Sequence, residues 1–249
     1  MGGCPARIGN RACLAATVAI AITCTGRPST AGFGAPSTTP LLGPDTPAAR
    51  YAQLERGDCE VELTRRGIDF ARVDEARGVL APVRLGGALH GVTFRTALPG
   101  PQRASSPLEI ADCRLVLSLD DFAVQLAEHD VVEVVHYSIY RPPSARWPAD
   151  KIASRHPGGL AIDAASFVKR DGRALVVERD FHGRIGAPTC GPRAGPRPTS
   201  PESAELRKIF CDAADARLFN VALTPDFNRA HRNHFHLEVT AGARWFVVH

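Results

Sequence analysis

Apolar positions recur along this chain with two different periods, and the switches between them mark the elements. From Ser118 onward, Leu119, Phe122, Ala123 and Leu126 fall on one helical face, with Asp120 and Asp121 in the expected first turn, where the helix dipole favours acids. Residues 131–140 are dense in β-branched and aromatic side chains and predict a central strand. It should end at Tyr140-Arg141-Pro142-Pro143, because Pro142 keeps Arg141 extended. Residues 164–169 and 173–178 flank Asp171-Gly172, a strong hairpin signal, so Asp163 falls just before or within the first strand of that hairpin. Ser200-Pro201-Glu202 opens a second helix, Ser as cap and Pro at the first helical position, with Leu206, Phe210 and Ala213 facing inward. Residues 219–223 and 233–240 read as closing strands. Upstream, Asp58 is placed to cap a short helix ended by Gly67. Residues 68–73 and 89–96 read as strands, and His90, alone on the second, reads as a structural or surface residue. This mixture predicts an α+β domain with a single central antiparallel sheet and flanking helices.

The N-terminal stretch has a different character. Arg7 and Arg11 precede an apolar run over residues 13–24, too short to span a bilayer but of the length of a signal-peptide core. A signal peptide over residues 1–31 is expected, making the protein exported, periplasmic or cell-envelope. A lipid anchor at Cys24 is the alternative, although Ala-Ile-Thr before it fits the usual small-residue pattern poorly. Residues 32–47, rich in Gly, Pro, Ser and Thr, are expected to form a tether, and residues 48–249 the domain. The net charge of +4 falls to +1 without residues 1–28, whose three charged residues are Arg7, Arg11 and Arg27. That balance leaves no electrostatic footprint for nucleic acid.

Cysteine usage agrees with export. Of seven cysteines, Cys4, Cys13 and Cys24 lie in the leader and Cys59, Cys113, Cys190 and Cys211 remain. An even number behind an export signal suggests two disulfides, with three possible connectivities. Cys59–Cys113 with Cys190–Cys211 is the preferred pairing; the second bridge would pin the Gly/Pro-rich loop of residues 183–200 to the helix after it. No Cys-x-x-Cys pair is present among these four, which argues against a thiolate metal site.

Candidate chemistry sits in two separated stretches, Ser154-Arg155-His156-Pro157-Gly158-Gly159-Leu160-Ala161-Ile162-Asp163 and His231-Arg232-Asn233-His234-Phe235-His236. Histidines with a spaced carboxylate form a ligand set that suits Zn²⁺. Alternation along a strand puts His234 and His236 on one face. At these residues the chain resembles the zinc peptidases of bacterial peptidoglycan, the D-alanyl-D-alanine carboxypeptidases and penicillin-insensitive murein endopeptidases, which share a fold group with hedgehog domains. The Ser-x-His-x-x-Gly-x-Ala-x-Asp pattern is complete at Ser154, His156, Gly159, Ala161 and Asp163. Resemblance is greatest to bacterial extensin-like C-terminal domains, over residues 58–238, ending in the run from Pro225 to His236.

The resemblance implies a zinc ion held by His156, Asp163 and His236, with water in the fourth position. His234 would serve as general base or oxyanion donor, a role His231 could share. Arg141 would hold a substrate carboxylate. Ser154 would bind substrate or stabilise the turn, and Glu238 would orient a histidine or face solvent. Asn233 stands where carboxypeptidase relatives carry a glutamate, which favours an endopeptidase. The implied partners are peptidoglycan stem peptides or cross-links. A zinc-stabilised wall-binding or interaction domain without turnover is the alternative, since hedgehog domains show that such a site need not imply proteolysis.

Overall fold

The computed structural model describes residues 40, 41 and 43–249, so the expected signal peptide, the anchor cysteine Cys24 and most of the tether lie outside the described residues. In chain order the elements are α1 (Pro47–Tyr51), α2 (Arg56–Arg65), β1 (Phe70–Arg72), β2 (Pro82–Leu85), β3 (Thr93–Thr96), α3 (Gly100–Ser105), β4 (Ala111–Asp112) and α4 (Cys113–Glu128). There follow β5 (Val131–His136), β6 (Ala161–Lys169), β7 (Ala174–Val176), α5 (Val177–Asp180), α6 (Pro201–Asp215), β8 (Val221–Leu223), β9 (Phe235–Glu238) and β10 (Val247–Val248). Among the described residues no helix is long and apolar enough to cross a membrane.

The fold is α+β, but the expected single antiparallel sheet is corrected. Among the described residues there are two sheets, a three-stranded one in the order β1-β2-β4 and a mixed seven-stranded one in the order β10-β8-β9-β6-β5-β3, with β7 on β6. β3 runs parallel to β5 because α3 and α4 supply the crossover that parallel pairing needs. β10 runs parallel to β8 because β8 and β9 form an antiparallel pair and the chain then returns to the far side of β8.

α4 is the central helix, with Leu115, Val116, Leu117, Leu119, Phe122, Ala123 and Leu126 buried. It packs against α1, α2, α6 and β5. Its start corrects the sequence reading: Asp112, not Ser118, is the cap, accepting from the Arg114 amide at 3.1 Å. Residues Cys113 to Leu117 are all buried, so no polar face reveals that first turn. Asp120 and Asp121 therefore sit nearly two turns further in, where both accept from Arg66 at 2.8 Å.

The strand expected over residues 89–96 is also shorter. His90 and Gly91 take positive φ angles of 46° and 81°, and β3 begins only after this turn. His90 approaches Asp120 Oδ1 at 3.1 Å, a structural contact. Regular β5 stops at His136, yet pairing continues irregularly through Tyr137 N–H to the Asp163 carbonyl at 3.0 Å and Asp163 N–H to the Ser138 carbonyl at 3.1 Å. The Asp171-Gly172 hairpin and the Ser200 cap, which accepts from Ser203 N–H at 3.1 Å, form as expected. The pairing Cys59–Cys113 and Cys190–Cys211 is present.

Candidate metal centre

β6 lies between β5 and β9 and is buried along most of its length, so a polar side chain on it is covered by groups on the same sheet face rather than by water. Asp163 and His236 are directly paired residues of β6 and β9. Between the two histidines of His234-Phe235-His236, Phe235 is wholly buried, its ring 5.2–5.7 Å from those of Phe210, Phe181 and Phe167. Alternation along the strand then turns His234 and His236 to the other face, toward Asp163.

His156 enters from a single 3₁₀ turn, His156–Gly158. The glycines there answer to space as well as to turning. A Cβ on Gly158 would meet the Ala153 carbonyl oxygen at 2.3 Å, and one on Gly159, at φ 64°, would meet the Asp112 amide at 2.8 Å. The turn is closed by the Arg155 carbonyl, which accepts from Gly158 and Leu160 N–H, each at 3.0 Å.

Three ring nitrogens converge on one oxygen. His156 Nε2 and His236 Nδ1 lie 3.0 Å from Asp163 Oδ1, and His234 Nε2 lies 3.2 Å from it. The outer nitrogen of each ring is already engaged. His156 Nδ1–H donates to the Ile139 carbonyl at 2.8 Å, His234 Nδ1–H to Asn233 Oδ1 at 2.9 Å, and His236 Nε2–H to Glu238 Oε2 at 3.3 Å. His231 follows the same plan, Nδ1–H donating to Asn228 Oδ1 at 2.8 Å, an oxygen that also accepts from Ala230 N–H. In their neutral forms, therefore, all four imidazoles turn lone pairs inward.

This arrangement is favourable only with positive charge shared at the centre. Three imidazole lone pairs aimed at a carboxylate oxygen would repel one another; three imidazolium ions packed together would repel as well. A divalent cation held by His156, Asp163 and His236 would relieve that repulsion. Tetrahedral bonds of ~2.0–2.2 Å place donor atoms about 3.3–3.5 Å apart, close to the contacts found. His156, Asp163 and His236 offer ligand atoms within 4.8 Å of one another, as do His231, His234 and His236. The residues thus fit the implied metal, and the outer acceptors are of the kind that orient metal-bound histidines.

Charge follows the geometry. In the metal-free protein burial opposes ionisation of Asp163, but hydrogen bonds from His156, His234 and His236, donated by inner nitrogens that have taken up a proton, outweigh it and hold the carboxyl far below the usual range. Burial likewise opposes charging of His236, yet Asp163 and Glu238 raise its pKa. His231 is pushed down to about 4, first by burial and then by its histidine neighbours.

A cleft of about 840 Å³ opens over the cluster, lined among others by Arg141, Arg155, Phe227 and Trp245. Arg141 is half exposed and donates from Nη2 to Asp163 Oδ2 at 3.1 Å. The structure thus brings His156, Asp163, His231, His234, His236 and Arg141 together. Ser154 is exposed and outside the cleft lining; its tie to the site is its carbonyl, which accepts from Gly158 N–H at 3.2 Å. Of the two roles open to Glu238, the buried one holds: its side chain is 3% exposed and also accepts from Thr240 Oγ1. Sequence reasoning did not single out Asn228 as an outer partner, Arg155 on the rim, or Tyr137, whose ring packs edge-on to His234 at 6.0 Å. Asn228, three residues before His231, and Asn233, directly before His234, were the available signal.

The sequence profile described as Extensin-like protein C-terminus matches residues 58–247, and the chain belongs to this family. No curated protein and no solved structure gives a significant match. The two disulfides suit an oxidising, extracytoplasmic compartment.

Proposed function

We propose that this protein is an exported zinc metallopeptidase of the cell envelope, with a fold like that of the hedgehog and D-alanyl-D-alanine peptidase group, acting on D-amino-acid peptide bonds of peptidoglycan. One observation carries the reading: imidazoles with their outer nitrogens engaged direct their inner nitrogens at Asp163 beneath an open cleft. His156, Asp163 and His236 would hold the ion. Zinc bound there would supply Lewis-acid activation of water and of the scissile carbonyl.

The chain's own residues do the rest. His234, its Nδ1–H fixed on Asn233, presents Nε2 to take a proton from the attacking water and to return it to the leaving amine nitrogen as the C–N bond breaks. His231, neutral at pH 7 and 5.2 Å ring to ring from His234, can share that proton. Arg141 has donors left for a substrate carboxylate. The cleft extends to both sides of the cluster, which suits an endopeptidase better than an enzyme that trims one terminal residue.

A structural zinc would not need two further imidazoles in an open cleft, which favours turnover over a wall-binding role. The test is metal analysis of the purified protein together with digestion of purified peptidoglycan. About one zinc per chain and new amino termini support the reading. Zinc without cleavage leaves the wall-binding domain, and absence of metal removes both.

A further inference from the structure

The cleft has two unlike arms, and strand pairing fixes where they lie. Val247 on β10 is paired with Val221 on β8, and Val221 with Glu238; in the next row Leu223 is paired with His236, and His236 with Asp163. Directly paired residues share a sheet face. An apolar floor of Val247, Val221 and Leu223 therefore runs up to the metal cluster from the β10 side. Arg141 and Arg155 line the same cleft next to His156, the one through its N–H to the His156 carbonyl, the other as its chain neighbour.

Arg155 is the unexpected member. Its backbone sits at φ 53° and ψ −144°, a region that only glycine occupies without strain. The turn requires this conformation, since the Arg155 carbonyl closes it by accepting from Gly158 and Leu160. That accounts for the backbone and not for the side chain, because glycine would close the same turn at lower cost. The side chain is 74% exposed, and the acid its guanidinium approaches, Glu238 Oε2, lies at 3.9 Å, beyond hydrogen-bond reach. Arg141 is 54% exposed and spends one donor on Asp163. The acids beside them are already committed to histidines. Two guanidinium groups thus face the cleft with most donors free.

We infer that Arg155 is a specificity-determining residue, which with Arg141 clamps a carboxylate of the substrate. The inference rests on the peptidase reading and refines it. The substrate lies across the strands, its carboxylate on the arginine arm, the scissile bond over Asp163 and His236, and a small apolar portion on the floor of β8 and β10. A guanidinium pairs with carboxylate through two parallel N–H bonds, whereas an amide offers no charge to pair. Peptides with a free carboxylate on that side should be preferred to their amidated forms.

The experiment uses two pairs of peptidoglycan-derived peptides and zinc-loaded protein. One pair differs only in amidation of the terminal carboxylate, the other only in amidation of a side-chain carboxylate; binding is read by calorimetry and hydrolysis by kcat and KM. Wild type should prefer the free acid of one pair by about tenfold or more in Kd and KM, which also identifies the carboxylate. Arg155→Gly should melt at a higher temperature than wild type, keep its zinc and lose that preference through KM, with kcat within about twofold. Arg155→Lys should restore it in part, as a point charge without the planar fork. Equal binding of both members of each pair by wild type, or a preference that survives Arg155→Gly, overturns the assignment. Failure of zinc-loaded protein to bind or cut any of the four removes the peptidase reading and this inference with it.

Discussion

Replacing His234 and His236 separately by alanine divides the proposed labour of the centre. His236 Nδ1 lies 3.0 Å from Asp163 Oδ1 and its Nε2–H is held by buried Glu238, so His236→Ala removes a ligand and leaves Glu238 without its imidazole. A hydrogen bond to a charged group contributes about 1.5–3 kcal/mol, so the metal-free protein itself should lose about that much. The larger loss comes with metal. Zinc at about 1,000 times its Kd stabilises a folded protein by about 4 kcal/mol, and His236→Ala should forfeit most of that. In His234→Ala, the proposed ligands His156, Asp163 and His236 remain. Zinc content and the zinc-dependent rise in melting temperature should persist, while hydrolysis falls by about 10²–10⁴-fold, the usual contribution of a general base. His231 moderates the effect, since its ring lies 5.2 Å from that of His234; the double variant with His231→Ala should be slower than either single one. The assay is a thermal melt with and without zinc, zinc per chain, and hydrolysis rate for all four variants. Loss of zinc in His234→Ala as complete as in His236→Ala would refute the division, and full zinc in every variant would place the site elsewhere.

Three further outcomes follow from the surrounding structure. Asp112→Ala removes the α4 cap and strands the buried Arg114 guanidinium, whose Nε and Nη2 lie 2.7 and 2.9 Å from that carboxylate; a loss of about 3–5 kcal/mol is expected by urea titration, and a loss under 1 kcal/mol would contradict it. Burial pushes the His136 pKa from 6.5 down to about 3, so the folded state resists a proton that the unfolded chain accepts. Stability should therefore fall as pH drops from 6.5 toward 3, by up to ~1.4 kcal/mol per unit, and His136→Leu should flatten that slope. Gly159→Ala, at φ 64° with its Cβ 2.8 Å from the Asp112 amide, should displace the His156 turn and lower zinc content; unchanged zinc and melting temperature would show that the turn adapts.

What the sequence made legible was whatever is written locally. The Ser200 cap, the Asp171-Gly172 turn and the spacing from His156 to Asp163 act through neighbours a few residues away, and each is where the pattern put it. The first turn of α4 was hidden because Cys113 to Leu117 are all buried, leaving no polar face to set a phase. The parallel placements of β3 and β10 were hidden because alternation reports which face is buried, not which strand lies alongside. The same limit applies at the centre. Residue types named the candidate donors but not the direction of their lone pairs. That direction is set by four acceptors of different origin: a main-chain carbonyl at Ile139, a carboxylate at Glu238, and amide oxygens at Asn228 and Asn233. Asparagine in such a segment reads as a turn former, and a main-chain carbonyl has no sequence signature at all. Yet removing any one of them would free a ring to rotate or change tautomer, and the lone pairs would no longer converge. The reactivity proposed for this cleft therefore depends as much on these acceptors as on the histidines. An Asn233→Ala protein that kept its zinc but turned over slowly would locate that dependence at His234 rather than at the ion.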